Sequence, residues 1–445
     1  MADAYDLILK GATVVNQDGT GVRDIAVSNG RIAAISTAAE PVTGNAPDVI
    51  DCSGLHILPG VIDSQVHFRE PGLTHKEDLE TGSRAAVAGG VTVVFEMPNT
   101  NPLTTTREAL AEKVAAARGR MFCDFAFYVG ATRENIDEIP TLERLEASAG
   151  MKVFMGSSTG NLLVDDEGSL DRIIARLSRR AAFHSEDEDR LIAREGVRRP
   201  GDPTSHPEWR DVEAAMISTR RLVALAEKHR RRVHVLHIST GDEMAFLKDH
   251  REWASVEVTP NHLTLAAPEC YERLGTFAQM NPPVRDAAHQ ARIWEGVRDG
   301  TVDVLGSDHA PHTREEKHHA YPASHSGMTG VQTLVPIMLD HVNAGRLTLE
   351  RFVDLTSHGP QRLFGLTAKG RIAAGYDADF TIVDLKRRQT ITDAWIESRC
   401  GWTPFDGKEV TGWPVGTMIR GRRVMWDGEI LGPAHGDAVR FHEAG

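Results

Sequence analysis

The stretch Val61-Ile62-Asp63-Ser64-Gln65-Val66-His67-Phe68-Arg69-Glu70-Pro71-Gly72 holds residues suited to chemistry. An apolar run from Leu55 to Ile62 leads into it, as a buried strand would. Residues 65 and 67 are two apart, so on a strand they point to one face. Two imidazoles so placed would clamp a divalent cation; here the pair is Gln65 and His67. Gln offers a neutral amide oxygen, a poorer zinc ligand than imidazole, which makes Gln65 a weak or absent ligand. The chemistry then depends on donors elsewhere in the chain.

Such donors recur downstream. Lys152 sits in Gly150-Met151-Lys152-Val153-Phe154, His184 in Phe183-His184-Ser185-Glu186-Asp187, and His237 in Val235-Leu236-His237-Ile238-Ser239. Asp308 and His312 fall in Gly306-Ser307-Asp308-His309-Ala310-Pro311-His312. A single histidine at a strand end is more often structural, and a single lysine there more often snorkels to solvent. An unpaired buried ammonium is costly, so the apolar setting of Lys152 suits a neutral or modified amine. Hydrolysing an amide near neutral pH needs a strong nucleophile and charge neutralisation on the carbonyl oxygen, and bound zinc supplies both.

Taken in order, with Met280-Asn281-Pro282-Pro283-Val284-Arg285, these motifs resemble the dihydroorotase branch of the amidohydrolase superfamily. That branch has the pattern D-x-H-x-H-x-R-E-P-G at its first strand. The likeness runs from about residue 5 to about residue 430 and departs among the metal positions only at Gln65. It implies one or two zinc ions. His67 and Asp308 would hold the more buried ion, with Gln65 where a histidine usually stands. Lys152, if carboxylated, would bridge to a second ion held by His184 and His237. Asp308 would also be the general base, taking a proton from the attacking water and passing it to the leaving nitrogen. The resemblance further implies that Arg69, Asn99 and His312 read a substrate carboxylate, while Asn281 touches the ring. The planar fork of Arg69 matches a carboxylate; the plainer alternative is a surface ion pair with Glu70. Hydantoinase-like and allantoinase-like relatives lack the Arg-Glu-Pro-Gly pattern.

The elements that must position these residues can also be read. At 445 residues the chain exceeds one ordinary core. Short strand patterns occupy residues 5 to about 55: Asp6–Lys10, Asp24–Val27 and Arg31–Ile35, the last two joined by an Asn-Gly turn. Similar patterns return at Gly370–Ile372, Ala378–Asp384 and Thr417–Val424. Between them apolar strands alternate with helical patterns. Val91–Met97, Phe125–Val129 and Arg232–His237 read as strands, Arg107–Arg118 and Val212–His229 as helices. This predicts an α/β protein, a (β/α)₈ TIM-type barrel over 56–364, with a smaller β-sandwich domain built from 1–55 and 365–445. A doubly wound sheet is the alternative, but no glycine-rich phosphate loop follows the first strand. The polar stretch Thr313 to Ser326, with His318, His319 and His325, reads as a loop beside the site.

Composition narrows the partners. Hydrophobic content of 41% and charged content of 25% are those of a soluble globular protein. A net charge of −13 argues against nucleic acid and anionic membranes, though not against an anionic substrate. Cys52, Cys123, Cys270 and Cys400 form no CxxC pair, and no signal peptide or spanning run is evident, so a cytoplasmic location is expected. The expected function is a zinc-dependent dihydroorotase, interconverting N-carbamoyl-L-aspartate and dihydroorotate in de novo pyrimidine synthesis. The alternatives are an inactive dihydroorotase-like scaffold for aspartate carbamoyltransferase and another cyclic-amide hydrolase of allantoinase or hydantoinase type. A homo-oligomer, possibly with aspartate carbamoyltransferase, is the expected assembly.

Overall fold

The computed structural model describes residues 4–37, 41–157 and 162–442. The N-terminal strands are β1 (Leu7–Asn16), β2 (Gly19–Ser28), β3 (Arg31–Ile35), β4 (Asp48–Asp51) and β5 (His56–Pro59). Asn29 and Gly30 turn the β2–β3 hairpin with φ of 52° and 74°, the left-handed backbone an Asn-Gly turn needs.

The next eight strands form the barrel: β6 (Val61–Val66), β7 (Val91–Glu96), β8 (Asp124–Gly130), β9 (Ser148–Phe154), β10 (Ala181–His184), β11 (Val233–Val235), β12 (Ala254–Val258) and β13 (Val304–Leu305). They pair in chain order, all parallel. Every residue in them is buried, as expected where helices cover a parallel sheet outside and side chains fill it inside. Just past β13 and β6 the barrel closes: Val66 bridges His309, and the His67 amide donates to the His309 carbonyl at 2.7 Å.

The chain then returns to the first sheet as β14 (Phe380–Thr390), β15 (Glu409–Ile419), β16 (Arg422–Trp426) and β17 (Glu429–Ile430). The resulting nine-stranded mixed sheet runs β17-β16-β15-β14-β5-β1-β2-β3, with β4 on β1, so both termini build one unit. The helix Val212–His229 forms over the residues its periodicity predicts. Asp211 caps its start, and Arg230 ends it with φ of 52°. Three details differ from the sequence reading. His56–Pro59 pairs with β1 and β14 and so lies in the terminal sheet, past the boundary drawn at 55. Gly370–Ile372 forms no strand; Gly370 has φ of 74°, and a Cβ there would sit 2.5 Å from the Ser357 carbonyl. Thr313–Ser326 is not all loop, because a capping box between Thr313 and Glu316 starts the helix Arg314–His318.

One buried charge cluster ties the two units together. Lys369 pairs with Asp124 and Asp379 at 2.5 Å each and with Asp377 at 2.9 Å. Asp124 opens β8, and Arg420, at the β15–β16 turn, reaches it at 2.5 Å. Burial works against the Lys369 ammonium, yet the three carboxylates hold its pKa above the ordinary lysine value. Removing one partner of such a cluster strands the others, so Lys369→Met is expected to lower unfolding stability by about 3–5 kcal/mol. Chemical denaturation checks this; a loss under about 1 kcal/mol would show that the carboxylates are solvated.

Candidate active site

The site lies at the C-terminal mouth of the barrel, where parallel strands end and loops begin. Gln65 is in β6, and His67 and Arg69 follow it. Lys152 is in β9, His184 ends β10, His237 follows β11, and Asp308 follows β13. These seven residues line one cavity together with Asn99, Asn281 and Phe154. Of the sequence-predicted site residues only His312 lies outside the lining, directly behind Arg69. Arg69, His237 and Asp308 have φ of 64°, 38° and 48°. Strained backbone at non-glycine residues concentrates where function over-determines the geometry.

Two pairs of donor atoms face each other. The His67 Nε2 atom is 3.2 Å from Asp308 Oδ1, and His184 Nδ1 is 3.1 Å from His237 Nε2. Ligand atoms of a tetrahedral zinc at its usual bond lengths lie roughly 3.3 Å apart, so both pairs fit a divalent cation. Their outer neighbours fix the free nitrogens. His67 Nδ1–H donates to Asn99 Oδ1 at 2.8 Å, which turns Nε2 inward. His184 Nε2–H donates to Glu186 at 2.9 Å, which turns Nδ1 toward His237. Burial alone would raise the Glu186 carboxyl, but Arg210 at 2.6 Å, together with His184, holds it well below the usual carboxylate range. Burial keeps the His67, His184 and His237 rings below the ordinary histidine pKa, so their neutral, ligating form is favoured.

Lys152 is buried, with its ammonium 4.4 Å from the centre of the Phe154 ring and no carboxylate at ion-pair distance among the described residues. Burial lowers its pKa to about 7. A neutral amine is the form that adds carbon dioxide, so the setting fits a lysine that could be carboxylated and would then offer an anionic donor. Gln65 is turned toward Asp308: its Nε2 donates to Asp308 Oδ1 at 2.9 Å, and its buried Oε1 has no hydrogen-bond partner among the described residues. The side chain thus fits two uses, an amide oxygen free to ligate and an amide donor that orients Asp308.

The Arg69 guanidinium is buried rather than paired with Glu70, which is engaged by Arg120 at 2.8 Å. Its Nε donates to the Pro311 carbonyl at 3.1 Å, and one terminal nitrogen lies 3.3 Å from His312 Nε2. The other, Nη1, has no hydrogen-bond partner among the described residues. Burial pulls this guanidinium down to about 10, still protonated near neutrality. Lys76 donates to His312 Nδ1 at 3.1 Å and pairs with Glu316 at 2.9 Å, so the histidine is fixed from behind. Asn281 accepts from His206 Nε2 at 3.0 Å.

Sequence reasoning did not single out several supporting groups. Asp63 accepts from the Ser307 amide at 2.9 Å and the Gln65 amide at 3.2 Å, stitching the seam beneath the donors. Glu257, fully buried and pushed by burial to about 8, takes a hydrogen bond from Ser64 at 2.7 Å. Asp63 and Glu186 were visible inside motifs already quoted, two residues from a candidate ligand. Arg210 and Glu257 carry no local signal.

A parallel barrel that gathers these groups at its mouth has the layout of an amide hydrolase. The chain belongs to the Amidohydrolase family, whose model matches residues 56–424. It is 35% identical to a dihydroorotase of Methanosarcina acetivorans, over 95% of this chain and 92% of that protein. It is 37% identical to a dihydroorotase of Halobacterium salinarum, over 94% and 97%. The solved L-hydantoinase (dihydropyrimidinase) of Arthrobacter aurescens superposes with a TM-score of 0.93 at 32% identity, covering 98% of this chain and 99% of that one. The protein is therefore a cyclic amide hydrolase.

Two outcomes follow from this geometry. The amine of Lys152 reacts only when unprotonated, and its share falls as pH drops through about 7. Recovery of activity by the metal-stripped protein, at fixed dissolved carbon dioxide, should be roughly tenfold slower near pH 6 than near pH 8. A rate indifferent to pH and carbon dioxide would exclude carboxylation. Gln65→His should raise the metal content per chain with turnover kept or increased, whereas loss of turnover with unchanged metal would assign Gln65 to orienting Asp308.

Proposed function

We propose that the protein is a dihydroorotase that uses divalent metal, zinc by donor type, and serves pyrimidine synthesis. The observation that carries this is the buried Arg69 guanidinium at the cavity, whose Nη1 has no hydrogen-bond partner among the described residues. A buried cation with an open N–H fits an anionic group, and the dihydroorotate carboxylate is planar and accepts a paired contact. Asn99 lines the same cavity and would complete the carboxylate pocket, with His312 holding Arg69 in place from behind. Asn281 would meet the ring.

In this reading Lys152, His184 and His237 hold one cation, and His67, Asp308 and Lys152 a second, with Gln65 at its edge. Bound metal supplies an activated water near neutral pH and polarises the amide carbonyl. Asp308 lies beside the donor pairs, where it can take the proton of the attacking water and return it to the leaving nitrogen. Asn99 fixes His67 and Glu186 fixes His184, so neither ring must reorganise during turnover. A homo-oligomer, and association with aspartate carbamoyltransferase, belong to the same proposal. So does a cytoplasmic location, which accords with four buried, unpaired cysteines. Among the described residues no helix is long and apolar enough to cross a membrane.

The likeness to an L-hydantoinase favours one second reading, hydrolysis of a cyclic amide without a carboxylate. Arg69 separates the two. Arg69→Lys keeps the charge but loses the fork, so kcat/KM on dihydroorotate should fall by roughly 1.5–3 kcal/mol, about 10- to 150-fold. Activity on unsubstituted hydantoin should stay within about threefold. Equal losses on both substrates, or none on dihydroorotate, would favour the second reading.

A further inference from the structure

We propose that a cavity at the opposite end of the barrel binds a polyphosphate anion of the nucleoside di- or triphosphate class. The cavity has a volume of about 390 Å³, within the range of small-ligand sites. Six arginines border it: Arg179, Arg180, Arg230, Arg231, Arg232 and Arg362. They come from two short runs, Arg179-Arg180 just before β10 and Arg230-Arg231-Arg232 just before β11, joined by Arg362 from the helix Gly359–Phe364. Only Arg362 has an ion-pair partner, Asp354 at 2.7 Å; among the described residues the other five have none. In a chain of net charge −13, five guanidinium groups without an ion-pair partner gather around one hollow, with Glu143 acting on Arg179 and Asp303 on Arg180, and such an arrangement favours an anion.

The arginines are also placed. Arg179 donates to the carbonyls of Glu143 and Ser148 at 2.7 and 3.2 Å, and its guanidinium lies 4.9 Å from the centre of the Phe441 ring. Arg231 donates to the Ala175 carbonyl at 3.4 Å and Arg232 to the Glu252 carbonyl at 3.2 Å. Arg179 also donates to the His442 carbonyl at 3.3 Å, whereas the anchors of Arg231 and Arg232 use one of five donors each and leave the rest for a ligand. Arg180 is half-buried; burial pulls its guanidinium to about 10, with Asp303 opposing the shift and the neighbouring Arg232 adding to it. An anion would relieve both effects. A single phosphate needs one or two such forks, so this number points to several phosphates. Ala149, Leu177, Leu363 and Phe364 give the same cavity an apolar wall, which suits a nucleoside rather than a purely inorganic chain. Arg180 and Arg232 lead into the strands that end at or before His184 and His237, so the ligand would sit under the two metal-facing histidines. The catalytic residues take no part in it.

Calorimetry on the full-length protein tests this with four probes: a purine and a pyrimidine nucleoside triphosphate, inorganic triphosphate, and a nucleoside without phosphate. One triphosphate per chain is expected to bind, weakening as salt rises, with the bare nucleoside silent. Inorganic triphosphate binding about tenfold weaker than a nucleoside triphosphate would support the apolar wall. Equal affinity would overturn the nucleoside assignment and retain inorganic polyphosphate as the ligand. The exposed double variant Arg231→Ala/Arg232→Ala should bind at least about tenfold more weakly while still hydrolysing its substrate, and Arg107→Glu, outside the cavity, should bind as the parent does. Arg180→Ala should lose binding too, but its partial burial makes the exposed pair the deciding variant. No heat with any triphosphate at about 1 mM, or binding unaffected by the double variant, would overturn the proposal.

Discussion

The site depends on the seam where the barrel closes. The hydrogen bond from the His67 amide to the His309 carbonyl joins the first and last strands and brings residues 65–69 against residues 307–312. Asp63 reinforces it from below by holding the amides of Ser307 and Gln65. Only with that closure do Gln65 and His67 meet Asp308, and Arg69 meet His312, across most of the chain's length. Strain is held at the same place, since Arg69 and Asp308 have left-handed backbones. The rest of the fold keeps the seam rigid: buried parallel strands on one side, and the Lys369 cluster that fixes the terminal sheet against β8 on the other.

Burial then sets the chemistry. Removing Lys152 and the histidine rings from water disfavours their charged forms, which leaves neutral nitrogens aimed into one cavity. Arg69 stays protonated because a guanidinium keeps its proton even when burial lowers its pKa. One end of the cavity therefore offers donors for cations and the other a fixed positive charge. That polarity matches a substrate with an amide to cleave and a carboxylate to anchor.

Much of this was legible in the chain. Strand and helix periods pointed to the barrel, and the helix Val212–His229 forms over the residues its pattern predicts. The motif order anticipated residues that line the cavity, because most of them sit at or just past the end of an apolar strand and a parallel barrel collects such ends on one face. The details that depend on contacts between distant segments were not legible. Gln65 reads as a defective ligand in sequence; its bond to Asp308 crosses a seam that no local pattern encodes. Glu257 lies in an ordinary apolar strand, and Arg210 approaches Glu186 only through folding. The helix Arg314–His318 lies in a polar stretch with no apolar period to reveal it, although Thr313 and Glu316 spell its capping box. His312 was expected in the cavity wall and is found supporting Arg69, a distinction set by the Lys76 and Glu316 contacts around it.

The paired donors at this seam suit a metal site with glutamine in one of its positions. Metal analysis of the purified chain, before and after equilibration with zinc and gel filtration, reads this out. At least about one tightly held zinc per chain is expected, lost on His184→Ala/His237→Ala. A chain that retains no zinc after equilibration, or whose zinc is indifferent to those two histidines, would contradict it.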